Sequence, residues 1–276
     1  MPLPPVVTAA WWRAHAGDVV TADVRWYLGQ GPGAGRRAYD EGHLPGAVFV
    51  DLDTVLAAPA DTATGRHPLP DPESFAAALG ALGIGDDHPV VAYDDAGGAT
   101  AARLVWMLRA VGHDAALLDG GLAAALAEPG AALETVTVPR PTAVTLPRPW
   151  PADRLAALDD VRAGVPLLLD ARARERWAGE VEPVDPRAGH VPGAVNVPVA
   201  DTLDPDGRLL PVPALRERFA AAGVTDGADV VASCGSGVTA CHTLLALEHA
   251  GFDGARLWPG SFSQWSARPD LPADAG

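Results

Sequence analysis

In the second half of the chain, short apolar runs alternate with longer stretches rich in Ala and Leu. Pro166-Leu-Leu-Leu-Asp170 and Asp229-Val-Val-Ala-Ser233 have the length and unbroken apolar character of strands buried on both faces, whereas 213–222 and 239–250 are long enough for helices. That alternation predicts an α/β fold with a mostly parallel sheet flanked by helices. In such sheets ligands bind beyond the C-terminal ends of the strands, which points to the segment after Ser233.

The same pattern occurs twice. Gly42-His-Leu-Pro-Gly-Ala-Val48 returns as Gly189-His-Val-Pro-Gly-Ala-Val195, 147 positions later, and Asp23-Val-Arg25 returns as Asp170-Ala-Arg172 at the same offset. Further on, Pro89-Val-Val-Ala-Tyr-Asp94 matches Asp229-Val-Val-Ala-Ser-Cys234, and Leu118-Asp-Gly-Gly121 matches Leu257-Trp-Pro-Gly-Ser261, at an offset near 140. Two homologous domains follow, 1–128 and 152–276. Between them 129–151 carries six prolines and little apolar period, as expected of an extended linker.

Composition narrows the function. The formal charge is −15 and every basic residue is Arg, so the surface repels phosphate backbones and anionic lipid; neither nucleic acid nor membrane is an expected partner. Met1-Pro-Leu-Pro-Pro5 lacks a basic head followed by an apolar run, and the expected location is cytoplasmic. Two cysteines, Cys234 and Cys241, are too few for a disulfide scaffold or a zinc site.

Cys234-Gly-Ser-Gly-Val-Thr-Ala240 leaves a strand and enters a helix. Gly235 and Gly237 let the backbone curl so that its N–H groups face the sulfur, and the positive end of the following helix adds to them. Both favour a thiolate, which makes Cys234 a nucleophile rather than a small packed residue. A phosphatase would carry Arg six positions after the cysteine, where this chain has Ala240. The first repeat has Asp94 in place of Cys234 and cannot attack sulfur.

This loop, with Asp170-Ala-Arg172, Arg176-Trp-Ala-Gly179, Glu182-Pro183, Gly189-His-Val-Pro-Gly-Ala194 and Trp258-Pro-Gly-Ser261, resembles the tandem-domain rhodanese-like sulfurtransferases over nearly the whole chain. The resemblance implies an inactive first domain, a catalytic second domain, a persulfide on Cys234, and neither cofactor nor metal. Gly-Ser-Gly after the cysteine, without basic residues, is similar to the 3-mercaptopyruvate type; the alternative donor is thiosulfate. Arg176 and Arg187 are then the substrate arginines, with Gly235, Gly237, Val238 and Thr239 lining the donor site. Ser236 is expected to work with a histidine from the first domain, for which His43 is the matching position. His43 has a second reading as a turn histidine, since its copy His190 fills the same slot. No acidic partner for a relay stands just before His43, and Arg25 and Arg172 are assigned to structural pairing. Acceptors of the implied kind are a small thiol, cyanide or a thioredoxin-like protein.

Competing readings are weaker. Gly29-Gln-Gly-Pro-Gly-Ala-Gly35 alternates glycines around Pro32 without the spacing of a nucleotide loop. Cys241 and His242, adjacent on a helix, diverge too far to share a metal. A persulfide relay protein with little turnover of small donors remains the alternative of a different class.

Overall fold

The computed structural model describes residues 2–276, which form two compact units. The first runs up to Ala58, resumes over Pro70–Trp150 and includes Pro205–Leu209; the second comprises Pro59–Leu69, Pro151–Asp204 and Leu210–Gly276. Each half of the sequence therefore lends a short segment to the other unit, which no period in the sequence announces.

In the first unit the strands are β1 (Val6–Val7), β2 (Val20–Asp23), β3 (Val48–Phe49), β4 (Val90–Tyr93) and β5 (Ala115–Leu118). The helices are α1 (Ala9–His15), α2 (Ala34–Glu41), α3 (Pro72–Ala81), α4 (Ala101–Ala110) and α5 (Gly121–Leu126). The sheet order is β1-β5-β4-β2-β3, all parallel. In α4 every residue from Ala101 to Leu108 is buried, so the helix is enclosed on all sides and needs no polar face. The start of α3 is set by Asp71, whose side chain accepts the Ser74 N–H, with Pro72 at the first helical position.

The second unit repeats this plan with β6 (Leu167–Asp170), β7 (Val195–Asn196), β8 (Val230–Ser233) and β9 (Arg256–Leu257) in the parallel order β7-β6-β8-β9. Its helices are α6 (Leu158–Ala163), α7 (Arg174–Trp177), α8 (Val212–Ala221), α9 (Ala240–His249) and α10 (Ser261–Ser266). The edge position held by β1 in the first sheet is taken by a single bridge, Leu155 to Leu257. Helix α8 buries Leu215 and Phe219, one turn apart, and α9 buries every residue from Ala240 to Leu247.

The proline-rich stretch carries no helix or strand between Leu126 and Pro151, yet it is not a free tether. Within the first unit, Ala143 N–H donates to Gly80 O (2.9 Å), Trp150 Nε1 donates to Pro70 O (2.8 Å), and Glu134 exchanges two backbone hydrogen bonds with His43. Among the described residues no helix is long and apolar enough to cross a membrane.

Candidate active site

Both sheets end β2 and β6 in the same device. Arg25 bonds Asp23 side on and donates to Gly42 O, and Arg172 does the same to Asp170 and Gly189 O. These buried pairs tie each strand end to the following Gly-His turn, the structural role the sequence indicated.

The central strands lead into equivalent loops, and their first residues show what the loops are built to hold. Asp94 follows β4 directly and is fully buried; its Oδ1 accepts the Ala96 and Gly98 N–H groups, and its Oδ2 accepts those of Thr100 and Ala101 and the Thr100 hydroxyl, all between 2.8 and 3.0 Å. The curled backbone is thus an anion cradle occupied by a built-in carboxylate. Asp94→Ala would leave the Gly98, Thr100 and Ala101 N–H groups buried without this partner and is expected to lower stability by about 3 kcal/mol or more. A urea midpoint giving a loss below about 1 kcal/mol would show that the cradle is not needed for folding.

In the second unit Cys234, 2% exposed, takes the same place after β8. Its Sγ accepts the Gly237 N–H at 3.1 Å, and its own N–H donates to Ser261 Oγ at 3.1 Å. The Ser261 hydroxyl in turn donates to Trp258 O, and Phe262 N–H donates to Cys234 O, so the Trp258-Pro-Gly-Ser261 turn braces the loop. Ser261 adopts a φ of 48°, a left-handed value that the turn imposes on a residue with a side chain. Cys241, fully buried on the first turn of α9, donates its thiol to Gly237 O at 3.3 Å and packs beneath the loop. Val238 is buried beside it, and Thr239 immediately precedes α9 without a side-chain capping bond.

The histidine hydrogen-bonded to Ser236 is not His43. His67 Nδ1 lies 2.7 Å from Ser236 Oγ, brought there by the Pro59–Leu69 segment of the second unit. His43 is completely buried in the first unit: its Nδ1 bonds Tyr39 O (2.8 Å), its ring stacks on Tyr39 (3.8 Å), and its Nε2 is 3.6 Å from Glu134. Its copy His190 repeats the arrangement, bonding Trp177 O and stacking on Trp177 at 3.9 Å. Both histidines are turn braces, and the expected pairing of Ser236 with His43 is corrected to His67.

A second correction concerns the arginines. Arg187 donates to four backbone carbonyls, those of Trp265, Ser266, Arg268 and Leu271, and so fastens the C-terminal turn instead of facing the loop. The guanidiniums beside the cysteine loop are those of Arg176 and Arg66. A Cβ at Gly235 would lie 2.9 Å from Arg66 Nη2 and 3.6 Å from Arg176 Nη1. Arg176 bonds Glu182 (2.7 Å) and Asp185 (3.1 Å), and Arg66 bonds the other oxygen of Asp185. Burial opposes the charge on Glu182, but the Asp185 N–H, Arg176 and the Val184 N–H outweigh it and hold the carboxyl below its usual range. Asp185 is pushed above its usual range, because burial together with the Glu182 charge exceeds what Arg66 and Arg176 return.

Neither His67 nor Arg66 has a counterpart in the repeat. They stand in Thr64-Gly-Arg-His67, a stretch without periodicity, whose Gly65 packs against the Gly260 carbonyl. The one signal was a paired Arg-His after glycine in an otherwise featureless loop.

A model of the rhodanese-like domain matches 8–128 and again 152–268. The chain belongs to the tandem rhodanese-like sulfurtransferase family. Among relatives, a probable 3-mercaptopyruvate sulfurtransferase of Pseudomonas aeruginosa is 46% identical over 273 residues, covering 96% of this chain and 95% of that one. A putative thiosulfate sulfurtransferase of Mycobacterium tuberculosis is 43% identical over 268 residues, covering 95% and 93%. Among solved structures, a 3-mercaptopyruvate sulfurtransferase from Leishmania major superposes with a TM-score of 0.86 at 32% identity, covering 98% of this chain and 78% of that one.

Proposed function

We propose that this sulfurtransferase moves sulfur from 3-mercaptopyruvate to a thiol or cyanide acceptor through a persulfide on Cys234. The Cys234 thiolate attacks the donor sulfur; an S–S bond forms, the C–S bond breaks, and its electron pair leaves on the enolate of pyruvate. Ser236 and His67, in contact, deliver the proton that turns the enolate into pyruvate. An acceptor thiolate or cyanide then attacks the outer sulfur and releases Cys234 as thiolate. Catalysis is assigned to the second domain, from 152, together with the 59–69 segment, while the rest of 1–128 has no nucleophile of its own because Asp94 fills its cradle.

The observation that carries this reading is the loop itself: Gly237 N–H on the sulfur at 3.1 Å, and a Gly-Ser-Gly sequence with no basic side chain of its own. Arg176 anchors the donor carboxylate through a hydrogen-bonding edge. A reducing compartment such as the cytoplasm suits a cysteine that must remain a thiolate. The acceptor is a small thiol, cyanide or a thioredoxin-like protein.

The name of the mycobacterial relative favours thiosulfate as a second donor reading. Comparing kcat/KM for the two donors with cyanide as acceptor separates them. A preference for 3-mercaptopyruvate of at least about 10-fold is expected, equivalent to a transition-state difference of about 1.4 kcal/mol. A preference for thiosulfate would leave the cysteine chemistry in place and overturn the donor.

A further inference from the structure

We propose that Ser261 is a positioning residue for sulfur transfer: held in a glycine-like conformation, it uses its hydroxyl to clip the Cys234 backbone to the Trp258-Pro-Gly-Ser261 turn and so fixes where the sulfur stands. The proposal rests on Cys234 being the nucleophile and adds a residue that aims it without touching the donor.

Among the described residues Ser261 is the one position that combines a side chain with a positive φ, 48°. A Cβ makes that region costly, and such residues persist where their surroundings impose them, most often at functional sites. The inactive copy shows the same turn without this demand. There Gly121 stands in the place of Ser261 with a φ of 53°, and Leu122 N–H donates to Asp94 O as Phe262 N–H donates to Cys234 O. Glycine takes that φ without strain. A Cβ at Gly121 would lie 2.3 Å from Asp94 O, so the inactive turn has no room for a side chain. In the catalytic copy the matching hydrogen bond is longer, 3.0 Å against 2.8 Å, and the turn admits a serine. The domain that holds the nucleophile thus carries a strained residue where its copy has an unstrained one, and what it gains is one hydroxyl.

That hydroxyl is completely buried and fully committed. It donates its proton to Trp258 O at 2.9 Å, and its oxygen accepts the Cys234 N–H at 3.1 Å. The Cys234 carbonyl is held from the same turn by Phe262 N–H. With its N–H and its C=O both tied, Cys234 has a fixed direction for its Cα–Cβ bond, and from that direction the sulfur meets the Gly237 N–H at 3.1 Å. A displacement near 1 Å of a reacting group costs on the order of 100-fold in rate, which is the scale on which such a clip acts.

The test separates the hydroxyl from the strain. Ser261→Ala and Ser261→Gly both remove the hydroxyl, but only Ser261→Gly also removes the Cβ. The full chain is mixed with the donor that loads the wild type, 3-mercaptopyruvate or thiosulfate, without acceptor, and the single-turnover rate of sulfur loading is followed against donor concentration. In both variants the rate at saturating donor is expected to fall by the same factor, about 10-fold or more, while the half-saturating concentration stays within about 2-fold of wild type. The urea midpoint is expected to lie higher in Ser261→Gly than in Ser261→Ala, because a Cβ at this φ is strained. A loading rate that recovers in Ser261→Gly would overturn the proposal, since the rate would then follow the strain and not the hydroxyl. So would a loss confined to the half-saturating concentration. If Ser261→Ala failed to fold, loading within about 2-fold of wild type in Ser261→Gly would still overturn it. Loading that persists in Cys234→Ser would instead overturn the nucleophile on which the proposal rests.

Discussion

Cys234→Ser is expected to lower sulfur transfer at least about 10⁴-fold in kcat/KM with either donor, because the step that stores the sulfur is lost, not slowed. The substitution is nearly isosteric, and a serine hydroxyl can still accept the Gly237 N–H that now reaches the sulfur at 3.1 Å. Stability should therefore stay within about 1 kcal/mol of wild type, which separates loss of chemistry from loss of fold. Residual activity above about 1% would mean that sulfur moves directly from donor to acceptor, or rests on Cys241. The second alternative fits the geometry poorly, since Cys241 is fully buried with its thiol on Gly237 O.

The second large effect is expected at Gly237. Its φ of +75° lies in the left-handed region, which costs a residue with a Cβ about 1 kcal/mol. The greater obstacle is steric: a Cβ there would stand 2.5 Å from Pro259 O and 2.9 Å from Pro259 Cα, and backbone atoms cannot step aside cheaply. Gly237→Ala must therefore push the loop away from the Trp258-Pro-Gly-Ser261 turn that braces Cys234. The expected result is a loss of about 2–4 kcal/mol in stability and at least about 100-fold in kcat/KM, since a displacement near 1 Å at the nucleophile is enough for that. Gly235→Ala is the informative contrast. There the Cβ meets the tip of the Arg66 side chain, which can swing, so stability should fall less than at Gly237 while KM for a carboxylate donor rises. Equal urea midpoints for the two variants would contradict this assignment of rigid and flexible neighbours.

The parts of this architecture that repeat were legible in the sequence. Unbroken apolar runs such as 167–169 and 230–232 became the buried central strands, and the 147- and 140-residue offsets became two sheets of matching order. Asp23-x-Arg25 and Asp170-x-Arg172 became the same buried pair twice. The place of Cys234 was legible because a cysteine at a strand end followed by Gly-x-Gly has a local physical reason, the cradle, that needs no distant residue.

Two site residues implied by the resemblance, His43 and Arg187, lie elsewhere, and the residues that stand in their place were not legible. His43 and His190 share a motif because both brace a turn, and that shared duty is why His43 is not the histidine on Ser236. Arg187 sits near Arg176 in sequence, yet its side chain is drawn to four carbonyls of the C-terminal turn. His67 and Arg66 reach the cysteine loop through tertiary packing of 59–69, held by the Asp61–Gly65 bridge and by Arg66 N–H on Ser263 Oγ at 3.1 Å. Neither periodicity nor spacing encodes such a long-range placement. Asp94 was legible as a missing nucleophile, but not as the anion that fills and stabilises the vacant cradle.

The most direct measurement is the mass of the intact protein and of its Cys234 peptide after exposure to 3-mercaptopyruvate without an acceptor, followed by addition of cyanide. One sulfur atom gained on Cys234, none on Cys241, and its release as thiocyanate in equal amount is the result expected. A protein that turns over the donor while Cys234 gains no sulfur, or that gains it elsewhere, would contradict persulfide transfer through this loop.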